Sequence, residues 1–194
     1  MAKVINEEKI NRIKEAAIEL IVKNGYGGAS ISAIATKADV ATGYLYRFYP
    51  GKYELVTDLL NTQLKEIAEE IETMLKEEAT VELVSQKLID YFFQQAEERP
   101  FHIRFIYILV AEYKFKMGEV EKEKILSLCR QMLKSAHASG EINNKYKEEE
   151  IFIMLVIYPI EYINLRFKKF ISSRELCNED KKRIHRLCVN ALKF

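Results

Sequence analysis

The stretch from Gly25 to Lys52 constrains the fold most, because it places two short helices and a tight turn in one segment. Ser30 is predicted to begin the first helix, since its hydroxyl can accept a hydrogen bond from an unpaired backbone N–H. One apolar stripe then follows at helical spacing, formed by Ile31, Ile34, Ala35 and Ala38. Asp39 stands where the chain must turn, and Asp tolerates positive φ better than most residues.

The second helix of this stretch has side chains that no apolar neighbours would bury. Val40 and Leu45 are predicted to hold it against the first helix. The residues predicted to face outward are Thr42, Gly43, Tyr44, Tyr46 and Arg47. Hydrogen-bond donors and flat rings on a short exposed helix suit a nucleic-acid surface.

The spacing of the whole stretch is also that of a known motif. The positions that match it are Gly25, Tyr26, Ser30, Ile34, Ala35, Ala38, Val40, Gly43, Leu45, Tyr46, Lys52 and Leu55. Together they resemble the helix-turn-helix of the TetR family of bacterial repressors. The departures are Asp39 at the usual turn Gly, Ala41 at the usual capping Ser or Thr, Tyr49 at the usual Phe, and Pro50-Gly51 at a polar pair. Thr42 is the alternative cap of the second helix.

The resemblance implies an all-α protein of about nine helices, which agrees with the helical periodicity along the chain. It implies a three-helix helix-turn-helix DNA-binding domain over residues 1–52. Residues 53–194 would form a larger effector-binding and dimerisation domain. The implied function is a ligand-responsive repressor that binds a palindromic operator as a homodimer. The alternative is a DNA-tethered protein-interaction module of the same fold without a small-molecule effector. An enclosed cavity of roughly 300 Å³ or more would favour the effector, and a filled core the alternative.

Helical periodicity continues through the chain after the motif and also precedes it. The predicted helices span residues 7–24, 52–78, 81–98, 101–115, 119–138, 148–170 and 178–194. Asn6 is expected to cap the first of them and Gly25 to end it. Because the helix over 148–170 is apolar nearly all round, it needs cover on every side. The resembled family pairs its last two long helices, so the predicted homodimer interface lies near 148–170 and 178–194.

The predicted DNA-binding residues combine polar or aromatic side chains with positions where the backbone is accessible. They are Ser30, Ser32, Lys37, Ala41, Thr42, Gly43, Tyr44, Tyr46, Arg47 and Lys52. Tyr44 is expected to be the better DNA contact, and Tyr46 to have a mixed role. Lys52 is expected to form an anion site with the N-terminus of its helix. Residues 1–52 hold eight Lys or Arg against five Asp or Glu, so this end is the positive one.

The predicted effector pocket lies in the middle and late parts of the chain, where aromatic and polar residues interrupt apolar runs. Its candidate residues are Tyr91, Arg104, Phe105, Glu112, Met132, Met154, Tyr158 and Glu161. The alternative for any one of the apolar members is ordinary core packing. Glu161 can face a cationic effector, pair with Arg166 or contact a second subunit. Pro159 is predicted to kink its helix.

The remaining chemistry of the sequence predicts no cofactor, no metal and no enzyme activity. Its three cysteines lack zinc-site spacing, and His185 with Cys188 supplies too few ligands for zinc. They suit the reducing cytoplasm, the predicted location. The start of the chain is charged, unlike a targeting segment, and the run Ile151–Ile160 is too short to cross a bilayer. The expected partners are therefore double-stranded DNA, an unidentified effector and a second copy of the chain, without a membrane.

Overall fold

The computed structural model describes residues 6–77, 80–140, 146–170 and 173–193, and these residues form helices and connecting turns without a strand. The helices are α1 (Glu7–Gly28), α2 (Ile31–Lys37), α3 (Thr42–Leu45), α4 (Lys52–Glu77), α5 (Val81–Glu98), α6 (Pro100–Val110), α7 (Glu119–Ser139), α8 (Glu148–Phe152), α9 (Tyr158–Phe167) and α10 (Asn178–Lys193). A π-helical turn over Ile153–Ile157 joins α8 to α9 in one continuous rod. Counting that rod once, the described residues form nine helices, so the all-α prediction is confirmed.

The first two helices begin at the predicted caps. The Asn6 side chain accepts a hydrogen bond from the Lys9 backbone N–H at 3.0 Å. The Ser30 hydroxyl accepts one from the Ala33 N–H at 3.0 Å. Each cap satisfies one of the N–H groups that a helix start leaves without a partner.

The positive-φ positions at Gly25 and Asp39 also lie where the sequence predicted a helix end and a turn. The start of α3 differs from the prediction. Gly25 has φ of 70° and interrupts α1, and Asp39 has φ of 53° in the turn between α2 and α3. Thr42 is the first residue of α3 rather than its cap. Ala41 occupies the cap position and makes no side-chain bond there, so the alternative cap at Thr42 was wrong.

Two helices of the larger part of the chain are shorter than predicted. The helix predicted over 101–115 begins at Pro100 and ends at Val110. Proline suits the first position of a helix because the N–H it lacks would have no partner there. The helix predicted over 148–170 ends at Phe167.

The predicted kink at Pro159 takes the form of one wide helical turn. Proline lacks the N–H that would bond the Leu155 carbonyl, and its ring crowds that carbonyl. The chain responds just upstream, where the Tyr158 N–H bonds to the Ile153 carbonyl five residues back. Such single π-helical turns inside an α-helix are often found at functional sites.

One continuous apolar core joins the first three helices, the head, to the body that follows. Ile13 and Ile34 of the head and Leu55 and Val56 of α4 are fully buried in the same cluster. In addition, α1 packs along α6, so the head contacts the body through more than α4. The division into residues 1–52 and 53–194 therefore stays a prediction, with α4 contributing to both parts.

Candidate nucleic-acid interface and effector pocket

The short helix α3 presents a polar outer face over an apolar inner residue. Leu45 is fully buried and fixes the helix on the head core. Gly43 is exposed on the helix, and Tyr46 and Arg47 are exposed in the turn that directly follows it, with 54% of Tyr46 accessible. Thr42 is half-buried. A tyrosine hydroxyl, a guanidinium and an open glycine backbone are all suited to phosphate or base edges.

Tyr44 differs from the other residues of α3, because its hydroxyl is buried and has no hydrogen-bond partner in the described structure. Its ring lies 5.2 Å from the ring of Phe48. The charged ends of Lys9 and Arg47 lie 5.5 and 5.6 Å from the Tyr44 ring centre. Tyr46 is thus the more accessible of the two tyrosines, and the Tyr44 ring packs beside Phe48 and the two cations. Which of them contacts DNA stays a prediction.

The residues predicted on the other side of the turn are placed differently from one another. Ser30, Ser32 and Ala41 are exposed. Lys37 forms an ion pair with Glu19 of α1 at 3.0 Å. Hydrogen bonds from Lys23 and then from Lys37 hold the pKa of the Glu19 carboxyl below its usual value. Lys37 therefore ties α2 to α1, and part of its charge is neutralised.

Lys52 was expected to add its charge to an anion site at the start of α4, and the structure gives its side chain other partners. Its ammonium donates to the backbone carbonyls of Tyr26 and Ala29, at 2.6 Å each. It also lies 4.2 Å from the centre of the Tyr26 ring. Burial, followed by the charge of Lys114, lowers its pKa. The side chain thus closes the end of α1 instead of pointing freely toward an anion.

An apolar pocket of about 170 Å³ lies between the end of α6 and the start of α9. Its lining residues are Ile106, Tyr107, Val110, Ala111, Ile157, Ile160 and Glu161. Glu161 is the only one of the eight predicted pocket residues in this lining. It has no ion pair in the described structure, because Arg166 turns instead to the buried Asp180 at 3.8 Å. The Lys168 ammonium bonds to the Tyr107 hydroxyl at 3.1 Å, which brings a positive charge beside the pocket.

The other predicted pocket residues are dispersed through the body. Phe105 and Met132 are buried in the core, as the core-packing alternative states. Tyr91 borders a gap of about 10 Å³, and burial raises its pKa to about 12. The remaining four do not line the apolar pocket; they are Arg104, Glu112, Met154 and Tyr158. The spacing of residues along each helix does not show which residues of two different helices face one another.

A larger and more polar groove of about 680 Å³ lies between α5 and α10, where the sequence predicted no site. Ion pairs cross it, from Lys181 to Asp90 at 3.5 Å and from Lys193 to Glu82 at 3.0 Å. His185 lies 3.2 Å from the Glu82 carbonyl. In the described part of the chain, no three His, Cys, Asp or Glu side chains are grouped to hold a metal ion.

A polar cluster also joins the head to the body through His102, which sequence reasoning did not single out. The His102 ring lies 3.0 Å from the Glu15 carboxylate of α1 and 2.5 Å from the Gln63 amide of α4. Arg99 adds an ion pair to Glu66 at 3.5 Å. A lone histidine in an apolar run gives no signal of such partners, because they come from helices distant in sequence.

Among the helices described, none has the length and apolarity to span a membrane.

Residues 13–59, which span most of the head and the start of α4, match the family model described as bacterial regulatory proteins of the tetR family. A fatty acid metabolism regulator protein of Bacillus subtilis is 35% identical over 72 residues, which is 37% of each chain. The chain thus matches little more than a third of that relative. An uncharacterized HTH-type transcriptional regulator of Bacillus subtilis, YvdT, is 28% identical over 83% of this chain and 85% of its own length.

Solved structures share the fold over nearly the whole chain. A TetR family transcription regulator from Marinobacter aquaeolei has a TM-score of 0.76 at 15% identity, and 96% of each chain is covered. The regulator FadR from Bacillus subtilis, in complex with stearoyl-CoA, has a TM-score of 0.71 at 21% identity, with 94% of this chain and 99% of that one covered. The motif, the matched family model and the helical architecture agree: residues 13–59 match the tetR family of bacterial regulatory proteins, and the chain shares the fold of a TetR family regulator over nearly its whole length.

Proposed function

We propose that this protein is a DNA-binding transcriptional repressor that binds a palindromic operator as a homodimer and responds to a small molecule. The observation that carries the proposal is the polar outer face of α3, held on the head by the buried Leu45. Helix-turn-helix proteins place such a helix in the major groove. The relatives named as transcriptional regulators or repressors support the same function.

The direct DNA contacts in this proposal come from side chains that the structure leaves accessible. Tyr46 and Arg47 would reach base edges or phosphates, and Thr42 and Ser32 phosphates. Ser30, Ala41 and Gly43 would contribute backbone or hydroxyl groups at the helix starts. Tyr44, Lys37 and Lys52 would act indirectly by holding the helices and cations in place.

Dimerisation is proposed from the uncovered apolar face of the α8–α9 rod. Ile153 is 52% exposed on this face, and Ile157 and Tyr158 are only half-buried. Leu187 of α10 is also 52% exposed. A second copy would cover these residues and place two heads on half-sites about 34–36 Å apart, one turn of the duplex. The expected operator is therefore an inverted repeat.

The proposed effector site is the pocket between α6 and α9. Six of its seven lining residues are apolar or aromatic, and a positive charge from Lys168 lies beside Tyr107. A long acyl chain with an anionic head group suits this arrangement, and the FadR structure holds stearoyl-CoA. Since about 170 Å³ is small for such a ligand, side chains would have to move apart on binding.

One observation favours the second candidate, a DNA-tethered module whose body binds a protein and no small molecule. Phe92, Phe93 and Phe105 fill the middle of the body and are at most 1% exposed. Within the described residues, the apolar pocket stays below the roughly 300 Å³ expected for an effector cavity. The two candidates share the DNA-binding head and differ only in what the body binds.

The test is a titration of the DNA upstream of the protein's own gene with and without stearoyl-CoA. The repressor proposal predicts that stearoyl-CoA weakens DNA binding about tenfold, a coupling of ordinary size. Val110→Trp should abolish this response by filling the pocket, whereas Val120→Trp, at an exposed position on α7, should keep it. DNA binding that ignores stearoyl-CoA, free fatty acids and free CoA alike would favour the protein-interaction module.

A further inference from the structure

The non-helical segment over residues 111–118, the connecting segment, contacts both the apolar pocket and the DNA-binding head. It begins directly after α6, where Val110 and Ala111 line the pocket. Four residues later, Phe115 is buried and only 9% exposed. The sequence predicted that α6 would continue through Phe115. Because the helix ends earlier, the Phe115 ring can lie away from the axis of α6. One short segment therefore spans the distance between the two sites.

Phe115 packs against one ring from the head and one ring from α4. The ring of Tyr26, near the end of α1, meets it edge-on, with centroids 5.0 Å apart. The ring of Tyr53, in the first turn of α4, stacks on it at 5.4 Å with an interplanar angle of 12°. Edge-on and offset stacked pairs at this separation are the favoured aromatic geometries. Phe115 thus fixes the end of α1 relative to the start of α4.

Lys114 adds a second contact to the same ring of Tyr26. Its ammonium lies 3.6 Å from the ring centre, and the ammonium of Lys52 lies 4.2 Å from it. Lys52 is in turn bonded to the Tyr26 and Ala29 carbonyls that close α1. The Glu112 carboxylate lies 3.7 Å from Lys114 and offsets part of its charge. A cation over an aromatic face is an attractive contact, so Lys114 continues the link from the body into the head.

We propose that Lys114 and Phe115 are positioning residues, which hold the head at the orientation needed for DNA and transmit occupation of the neighbouring pocket to it. The inference rests on the proposed function, whose effector pocket and DNA-binding face it connects. In this proposal neither residue contacts DNA itself. They act through Tyr26, Tyr53 and Lys52.

The connecting segment is suited to such a role because few backbone bonds restrain it. The Phe115 N–H bonds to the Glu112 carbonyl at 3.1 Å, and the Gly118 N–H bonds to the Asn61 side chain of α4 at 3.1 Å. A ligand that widens the pocket displaces Ala111 and, through it, Phe115. A ligand shifts an equilibrium only by binding one state better, and the state it favours here is the one in which Phe115 has left the two tyrosines.

The experiment measures how strongly operator affinity depends on the spacing of the two half-sites. The wild-type dimer should bind its operator more tightly than the same operator with two base pairs inserted at its centre, because rigidly held heads fit one spacing. Phe115→Ala should reduce that preference about tenfold, within the usual range of coupling between sites. The matched control is Tyr113→Ala, which removes a fully exposed ring from the same segment and should keep the wild-type preference.

A second pair of variants removes charge instead of a buried ring, in case Phe115→Ala unfolds the head. Lys114→Gln should weaken the spacing preference, and Lys116→Gln, an exposed neighbour, should not. An unchanged preference in folded Phe115→Ala and in Lys114→Gln would overturn the positioning role while leaving DNA binding intact. By contrast, a wild-type protein that binds no operator would overturn the proposed function itself, and the positioning role with it.

Discussion

The head and the body of this protein bury their apolar residues to different extents. In the head, α1, α2 and α3 direct Ile13, Ile34 and Leu45 into the core until none of them is exposed. In the body, the α8–α9 rod buries Ile151 and Ile163 completely but leaves 52% of Ile153 accessible. The aliphatic residues of the head are therefore covered, in a core that the head shares with the body, whereas the α8–α9 rod of the body leaves part of an apolar face exposed.

The exposed groups of each part indicate what it is suited to contact. Polar and charged groups remain on the outside of the head, which suits a hydrated polyanion. A surface that exposes apolar side chains from a long rod suits another protein surface, and a second copy of the same chain is the simplest partner.

The largest effect is expected from a charge on the apolar face of the body. Ile153→Glu should convert a dimer to a monomer, since a carboxylate would lose its water when the face is covered. Operator affinity should then fall toward the non-specific value, by a factor on the order of 10³. Light scattering measures the mass of the protein in solution, and fluorescence anisotropy measures its affinity for the operator.

Val120→Glu is the matched control for that face. Val120 is 78% exposed on α7 and is not part of the α8–α9 rod, so the change should alter neither mass nor affinity. A wild-type protein that is already monomeric, or an Ile153→Glu variant that remains dimeric, would place the interface elsewhere.

A smaller effect is expected from the buried carboxylate that ties α9 to α10. Asp180 is fully buried, accepts hydrogen bonds from the Tyr162 hydroxyl and the Cys177 N–H, and lies 3.8 Å from Arg166. Burial raises its pKa, but these hydrogen bonds and the Arg166 charge outweigh burial and leave the pKa below its usual value. Asp180→Asn should therefore lower the free energy of unfolding by roughly 3 kcal/mol, because Arg166 loses its buried partner.

The pH dependence of that loss follows from the lowered pKa of Asp180. A depressed carboxyl pKa stabilises the fold above the unfolded-state pKa of about 3.9, and this contribution disappears as pH falls through the folded-state value. In urea unfolding, the free energies of unfolding of wild type and Asp180→Asn should differ widely at pH 6. They should differ little at the lowest pH at which both proteins fold. Glu179→Gln, at the exposed neighbouring position in the first turn of α10, should lower the free energy of unfolding by less than about 0.5 kcal/mol. A difference in free energy of unfolding that grows toward low pH would refute a lowered pKa of Asp180.

The smallest effect compares two serines of the head. Ser30 caps α2, so Ser30→Ala should lower the free energy of unfolding by about 1 kcal/mol. Ser32 is exposed on the same helix, and Ser32→Ala should change stability by less than about 0.5 kcal/mol. Thermal unfolding of both variants decides the matter. Equal losses would mean that the Ser30 hydroxyl does not cap the helix in solution.

Local signals made the head predictable from sequence. Asn6, Ser30, Gly25 and Asp39 act within three or four residues of their own positions, so their types indicate the caps and breaks directly. Tyr44 and Lys52 were less predictable. Their side chains meet residues outside that range, Lys9 and Tyr26, and no local rule shows that such contacts bury a hydroxyl or engage an ammonium.

In the body, periodicity predicted the helices but not which faces meet. Phe105 and Glu161 were both pocket candidates, yet one is in the core and the other lines the pocket. Their fates depend on how α6 and α9 rotate against each other, which the spacing of apolar residues within one helix leaves open. The end of α6 at Val110 was missed for the same reason, because the rings that hold Phe115 out of the helix come from α1 and α4.

Binding of DNA by α3 and the turn that follows it would make operator affinity depend on salt. Operator affinity would be measured by fluorescence anisotropy at several salt concentrations for wild type, Arg47→Ala and Lys52→Met. Arg47→Ala should flatten the slope of log affinity against log salt by about one unit, as expected when one phosphate contact is lost. Lys52→Met should keep the slope, because its ammonium is bonded to the Tyr26 and Ala29 carbonyls. An unchanged slope for Arg47→Ala would mean that this face does not contact the DNA phosphates.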